Sequence, residues 1–99
     1  MNQEKQQNKE LLQIRTKDSG EAFEGRIIVS LPEGSFYDKD KIKVIVGSTG
    51  QDNKSESLSV GDFVVYDTGM NEKFEIRIVN IFRLSGNEDF ANVLVTKLK

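Results

Sequence analysis

Cysteine, histidine and tryptophan are all absent from this chain of 99 residues, and proline occurs once. Without cysteine and histidine the chain can form no disulfide, no zinc site of the usual Cys/His kind and no imidazole general base. It also lacks the GxxxxGK[ST] segment that cradles phosphates. Serine, lysine and carboxylates are plentiful, but no pair of them stands in a recognisable catalytic frame. We therefore expect no catalytic residues, no metal site and no cofactor, and we expect that the protein is not an enzyme.

An excess of basic charge is missing as well. The chain has 14 Lys and Arg against 16 Asp and Glu, a net charge of −2, and the two signs are interspersed. A nucleic-acid-binding protein usually presents a basic face, so this balance argues against a nucleic-acid partner. No window approaches 18 apolar residues, and the N-terminal MNQEKQQNKE has no apolar segment of the kind found in signal peptides. We expect no membrane contact and a cytoplasmic location.

The overall composition is typical of one small globular domain. Hydrophobic residues make up 36% and charged residues 30% of the chain, which fits a soluble folded protein rather than a disordered one. A chain of this length buries one modest core. Residues 1–10 are polar and show no apolar periodicity, which indicates a flexible tail. Residues 11–99 are expected to form the single folded domain.

Short apolar runs separated by turns indicate an all-β fold. The strand-like segments are RIIVSL (26–31), KIKVIVG (41–47), FVVY (63–66), FEIRIVNIF (74–82) and FANVLVTKL (90–98). They are rich in β-branched residues or alternate apolar with polar residues, and no segment shows a helical period. Five or six such strands favour a barrel or a sandwich. In FEIRIVNIF the alternation changes parity at Val79, which predicts a β-bulge or a barrel corner.

Polar stretches and apolar positions complete the expected architecture. The stretches 15–25 and 48–57 are rich in turn-forming residues and favour loops. The candidate core consists of Ile14, Ile42, Val44, Val46, Val60, Val64, Tyr66, Ile76, Ile78, Ile81, Leu84, Val93 and Val95. The strand aromatics Phe63, Phe74, Phe82 and Phe90 are also expected in the core, and Phe36-Tyr37 is expected at the surface.

The stretch SLSVGDFVVYDTG, residues 57–69, places Gly61-Asp62 at the entry to a strand. Glycine allows a positive φ at a tight turn, and Asp62 can cap that turn through its side-chain oxygens. Both roles are structural. Oligonucleotide-binding, SH3-like and leader-peptidase-type barrels use similar turns, so the turn alone does not identify a family.

The order of motifs across residues 11–97 resembles the GroES-type small co-chaperonins, the ring-shaped lids of the bacterial chaperonin. That family has a first strand, a flexible loop with an aliphatic tripeptide, a strand ending near Val-Gly, a Val-Gly-Asp-x-Val turn and a last strand after Glu-Asp. The corresponding segments here are LQIR, TKDSGEAFEG followed by Ile27-Ile28-Val29, KIKVIVGSTG, SVGDFVVYDTG and IFRLSGNEDFANVLV.

The resemblance implies a GroES-like β-barrel that caps a GroEL-type chaperonin and thereby assists protein folding. Residues 16–31 would be a mobile loop, and Ile27, Ile28 and Val29 would bind an apolar groove of the chaperonin. Copies of the chain would assemble into a homo-oligomeric ring, seven-membered in the family. Several weakly binding loops on one ring would then bind strongly through effective concentration.

The chain departs from the family pattern at several positions. Gly25-Arg26 stands where Gly-Gly is usual, the excursion from Gly47 to Gly61 is short, and the Tyr-Gly expected after the Gly-Asp strand is missing. The chain keeps the order of the family's motifs but has lost some of their residues. This pattern is expected of a divergent member, such as a phage-encoded one. Two alternatives stay open. Ile-Ile-Val is also a common interior strand sequence, and the chain also fits a stand-alone small β-barrel that binds a protein or a nucleic acid as an accessory or inhibitor.

Overall fold

A computed structural model of the chain describes residues 8–84 and 88–98, which fold into eight β-strands. The strands are β1 (Lys9–Arg15), β2 (Ser19–Ala22), β3 (Ile27–Ser30), β4 (Ile42–Gly47), β5 (Lys54–Leu58), β6 (Phe63–Asp67), β7 (Lys73–Phe82) and β8 (Phe90–Lys97). The described residues form no helix that is long and apolar enough to cross a membrane. The predicted all-β class is confirmed.

The strands form two four-stranded antiparallel sheets. Sheet I has the order β1-β8-β7-β6, and sheet II has the order β2-β3-β4-β5. The chain passes from sheet I to sheet II after β1 and returns after β5. Sheet I joins both ends of the folded domain, because β1 pairs with β8 from Lys9–Thr96 to Arg15–Phe90. Strand pairing among the described residues stays within each sheet.

The core is built from alternate residues of each strand. In β4, Ile42, Val44 and Val46 are fully buried, whereas Lys43 is exposed. Successive side chains of a strand point to opposite faces, so one set from each sheet meets in the interior. The other buried apolar residues are Ile14, Ala22, Ile27, Val29, Leu31, Leu58, Val64, Tyr66, Phe74, Ile76, Ile78, Ala91, Val93 and Val95.

Four residues predicted for the core are exposed instead. Val60 and Leu84 are more than half exposed, because Val60 precedes the Gly61-Asp62 turn and Leu84 follows the end of β7. Phe63 and Phe82 occupy outward positions of β6 and β7. The prediction that these four side chains are buried is wrong, because two of them lie outside the strands and the other two point outward from theirs.

Two strands lie in stretches for which the sequence predicts loops. β2 lies within residues 15–25, and all of β5 except Leu58 lies within residues 48–57. Both are edge strands of sheet II, paired only with β3 and β4 respectively among the described residues. An edge strand can carry polar residues along most of its length, so its apolar signal is weak. The described part of the chain therefore forms eight strands, where the sequence predicted five or six.

Strand β7 contains the predicted irregularity. Its pairing with β8 shifts register between Ile78 and Asn80, which leaves Val79 as the extra residue of a bulge. Ile78 points into the core before the bulge, whereas Asn80 and Phe82 point outward after it. One extra residue is enough to exchange the faces that the following side chains occupy.

Most of the predicted flexible tail, residues 1–10, lies outside the described residues. Lys9 and Glu10, its last two residues, belong to β1. Residues 85–87, part of the segment IFRLSGNEDFANVLV, lie outside the described residues as well.

The Gly61-Asp62 turn has the predicted geometry. Gly61 has a φ of 92°, and Asp62 accepts a hydrogen bond from the backbone N–H of Ser59 at 3.0 Å. No atom of a residue beyond its chain neighbours lies within 4 Å of the position that a Cβ would occupy at residue 61. Backbone strain alone therefore opposes a side chain at this position.

We expect Gly61→Ala to lower the free energy of unfolding by about 1 kcal/mol, because alanine is strained at positive φ. Gly61→Asn should lower it less, since asparagine tolerates the left-handed conformation. Urea denaturation of the wild type and both variants measures the difference. Equal losses in the two variants would show that strain is not the cause.

Tyr66 connects sheet I with the loop that precedes β5. Its side chain is buried, and its hydroxyl donates a hydrogen bond to the carbonyl oxygen of Asp52 at 2.7 Å. Burial, followed by the nearby charge of Asp52, raises the pKa of Tyr66 above its ordinary value. The folded protein therefore holds this proton more tightly than the unfolded chain does.

The stabilisation from Tyr66 should be fully present below the tyrosine pKa of the unfolded chain, about 10, and should be lost as the pH rises above it. Tyr66→Phe lacks the titrating group. We expect the free energy of unfolding of the wild type, measured relative to that of Tyr66→Phe, to decrease as the pH rises above about 10. A difference that stays constant above this pH would contradict the assignment.

Candidate protein interface

The three residues predicted to bind a chaperonin lie in a central strand of sheet II. Ile27, Ile28 and Val29 begin β3, which pairs with β2 on one side and β4 on the other. Ile27 and Val29 are fully buried, and Ile28 is half-buried on the outer surface of the sheet. The structure thus has the interior strand that the sequence left open as the alternative, not a loop with three exposed side chains. Binding of a chaperonin through these residues stays a prediction.

Several exposed apolar side chains share the outer surface of sheet I. Leu11 of β1 is 62% exposed, Phe63 and Val65 of β6 are 50% and 37% exposed, and Phe82 of β7 is 40% exposed. We call the outward-pointing residues of these four strands the sheet I face: Lys9, Leu11, Gln13, Arg15, Phe63, Val65, Asp67, Glu75, Arg77, Asn80, Phe82, Phe90, Asn92, Leu94 and Thr96. Several exposed apolar side chains on one sheet surface mark a candidate interaction site.

An arginine and an aromatic ring lie together on one side of the face. The Arg77 guanidinium carbon is 4.6 Å from the centre of the Phe63 ring. The same guanidinium donates hydrogen bonds to a Glu75 carboxylate oxygen and to the Gly61 carbonyl oxygen, each at 2.8 Å. These contacts hold the guanidinium in one orientation, so binding would cost little additional side-chain entropy there.

A row of amides crosses the middle of the face. The Gln13 amide donates to the Asn92 side-chain oxygen at 3.4 Å, and the Asn92 amide donates to the Asn80 side-chain oxygen at 3.3 Å. Both distances are long for hydrogen bonds. Each amide offers two N–H donors and an oxygen with two lone pairs, so the row retains hydrogen-bonding capacity for another molecule.

A stacked aromatic pair occupies the other side of the amide row. The rings of Phe82 and Phe90 are 4.7 Å apart between centres and inclined by 20°. The two residues are directly paired across β7 and β8, so the strand backbones fix their position. The pair offers a rigid apolar surface.

Charges of opposite sign lie at opposite edges of the face. Lys9 and Arg15 lie near the two ends of β1, the edge strand on one side. Asp62 and Asp67 lie at the two ends of β6, the edge strand on the other side, and both are exposed. Protein–protein interfaces are enriched in aromatic residues and arginine and have polar, charged rims.

An open cavity of about 420 Å³ lies where the β2–β3, β4–β5 and β6–β7 connections meet, and we considered it as a second candidate site. Arg26 forms an ion pair with Glu72 on its wall, and the Lys97 ammonium is 3.7 Å from the same carboxylate. Because these charged side chains already pair with one another, they have less capacity to bind a ligand, and the cavity is a weaker candidate than the sheet I face. The described residues contain no cluster of three or more acidic side chains that could hold a metal ion.

Sequence reasoning missed the sheet I face, although one signal was available. In FVVYD, Phe63 and Val65 alternate with Val64 and Tyr66, so both faces of β6 are apolar. A strand with one face in the core buries only one of two such sets. The second set therefore indicated either a strand buried on both faces or an exposed binding surface.

Comparison of the chain with protein-family models, with curated proteins and with solved structures finds no match, and so nothing in it identifies a GroES-type co-chaperonin.

Proposed function

We propose that this protein is a non-enzymatic binding module that binds another protein through the sheet I face. One observation carries the proposal: Leu11, Phe63, Val65 and Phe82 are exposed together on one continuous sheet surface. A folded domain gains nothing in stability from exposing aromatic rings to water, and exposed apolar side chains that share one surface mark interaction sites.

The energetics of the face suit a protein partner. Full burial of a phenylalanine or leucine side chain contributes about 1.5–3 kcal/mol before the costs of association. Phe63 and Phe82 already have neighbours that hold them, Arg77 and Phe90 respectively. Aromatic and arginine side chains fixed in this way are typical of the residues that dominate binding energy at interfaces.

Site-specific photo-crosslinking in the cells that make the protein tests the proposal. A photoreactive phenylalanine analogue would replace Val65 on the sheet I face or, as the matched control, Lys43 on the outer surface of sheet II, where the side chain is also exposed on a strand. We expect a discrete protein adduct from position 65 and none from position 43. No adduct at position 65, or the same adducts at both positions, would overturn the proposal, as would an adduct with nucleic acid.

The co-chaperonin lid implied by the resemblance is retained as a proposal that needs a conformational change. Ile27 and Val29 would have to leave the core before they could enter a groove of the chaperonin. Exposing the two side chains would cost about 3–6 kcal/mol. Closure of the two sheets into a barrel and assembly into a seven-membered ring belong to the same proposal.

The lid proposal has a direct test. The mass of the protein in solution, measured alone and with a GroEL-type chaperonin and ATP, should reveal a ring and a complex if the protein is a lid. A protein that forms no complex with the chaperonin would exclude the lid and leave the binding module unaffected.

A further inference from the structure

We infer that the sheet I face binds a second copy of this chain, with the two faces packed against each other about a two-fold axis that runs parallel to the strands. The inference rests on the proposed function, since it names the partner of the same face. A two-fold interface brings one surface patch against itself, so the patch must be complementary to itself under the rotation. The sheet I face meets this condition.

The order of the strands determines which residues would meet. The face is four strands wide, in the order β1-β8-β7-β6, so its centre lies between β8 and β7. A two-fold axis through this centre and parallel to the strands places β1 of one copy over β6 of the other, and β8 over β7. A row consists of the residues that are directly paired across neighbouring strands. Because the axis is parallel to the strands, each row of one copy faces the same row of the other copy.

The register then brings the exposed apolar residues of the two edge strands against each other. Leu11, Leu94, Arg77 and Phe63 form one row. Under the rotation Leu11 of each copy therefore meets Phe63 of the other. These are two of the most exposed apolar side chains of the face, and the contact forms twice by symmetry.

The amide row and the row of Phe82 and Phe90 are also complementary to themselves. Asn80 and Asn92 share the amide row, so each would lie against the other residue of the second copy, where amides can exchange N–H···O hydrogen bonds. Phe82 and Phe90 share the last row, so the two stacked pairs would pack on each other. The Arg77 guanidinium keeps its own carboxylate partner, Glu75, and no charge at the centre is left unpaired.

The edge strands bring one pair of opposite charges near each other. Lys9, Thr96, Glu75 and Val65 form a row, so the aliphatic stem of Lys9 would cover Val65 of the second copy. Asp67 occupies the next outward position of β6, where its carboxylate can attract the Lys9 ammonium group. Arg15 lies in the row of Phe82 and Phe90, beyond the first residue of β6.

The size of the face predicts a weak dimer. Four strands about 4.8 Å apart and about eight residues long cover an area of about 19 by 27 Å, or about 500 Å² for each copy. Twice this area is at the lower limit for specific interfaces. We therefore expect a concentration-dependent equilibrium between monomer and dimer rather than a permanent dimer.

Sedimentation velocity between about 5 and about 500 µM protein, a range suited to weak association, tests the dimer. Leu11→Glu and Phe63→Lys each place an uncompensated charge in the contact and should raise the dissociation constant about tenfold or more. The double variant Leu11→Glu/Phe63→Lys should recover most of the wild-type affinity, because the rotation makes the two new charges face each other. Met70→Glu and Tyr37→Lys, at exposed residues outside the face, should leave the dissociation constant unchanged.

Thermal unfolding of each variant shows that it remains folded, as expected for substitutions at exposed positions. A wild type that stays monomeric at the highest concentration would overturn the inference, and so would a dimer that neither single substitution weakens. Failure of the double variant to recover affinity would exclude this two-fold arrangement. If the wild type is monomeric but photo-crosslinking from position 65 captures a different protein, the dimer is excluded and the proposed function stands.

Discussion

Replacing Ile27 by alanine is expected to lower the free energy of unfolding by about 2–5 kcal/mol, the usual cost of truncating a fully buried isoleucine. The Ile27 side chain has no exposed surface, and it lies in the core cluster with residues of both sheets. Truncation removes buried methyl groups and leaves a cavity that neighbouring side chains fill only in part. For a domain of this size the loss is a large fraction of the total stability.

The adjacent Ile28 is the matched control, because the two residues have the same side chain and occupy successive positions of β3. Ile28 points away from the core and is half-buried, so Ile28→Ala should cost about 1 kcal/mol or less. Urea denaturation of both variants measures the difference. If Ile27→Ala is no more destabilising than Ile28→Ala, β3 is not held in the core in solution, and the mobile loop of the co-chaperonin resemblance regains support.

Phe74→Ala is the second substitution with a large expected effect, about 3–5 kcal/mol. Phe74 is fully buried, and its ring centre is 5.2 Å from that of Phe23, with the planes inclined by 48°. Phe23 lies in the connection between β2 and β3, so Phe74 holds that connection of sheet II against sheet I. Truncation should therefore weaken the packing of the two sheets as well as enlarge the interior.

Phe82 provides the comparison within the same strand. It lies at the end of β7 and is 40% exposed on the sheet I face. Phe82→Ala should destabilise the fold by about 1 kcal/mol or less. It should weaken the dimer, because it removes one ring of the stacked pair. Equal destabilisation by Phe74→Ala and Phe82→Ala in thermal unfolding would mean that Phe82 supports the fold rather than a binding surface.

The central strands could be predicted from the sequence because their burial imposes a pattern. Ile42, Val44 and Val46 alternate with Lys43 and Ile45, and only the first set enters the core. The parity change at Val79 indicated the bulge for the same reason. β2 and β5 could not be predicted in this way. Lys54–Leu58, for instance, has a single buried side chain, Leu58, because an edge strand is held mainly by backbone pairing to its one neighbour.

The candidate site was harder to predict than the fold. Phe63 and Phe82 are apolar residues in strands, and the sequence predicts burial for them as it does for Phe74. Their exposure follows from the positions they occupy: Phe63 alternates with buried Val64, and Phe82 follows the bulge. The grouping of Leu11 with Phe63 required the order of the strands, since 52 positions of sequence separate the two residues.

Local sequence alone determined the all-β class, the phase of the central strands, the bulge and the turn at Gly61-Asp62, because these depend on alternation and backbone conformation over a few residues. Tertiary structure decided the rest. Whether Ile27 and Val29 are buried, and whether Phe63 is exposed, depends on which strand pairs with which and on where the second sheet lies. Burial is a property of the assembled sheets. Two side chains of equal hydrophobicity can therefore lie on opposite faces of the same strand, one in the core and one in solvent.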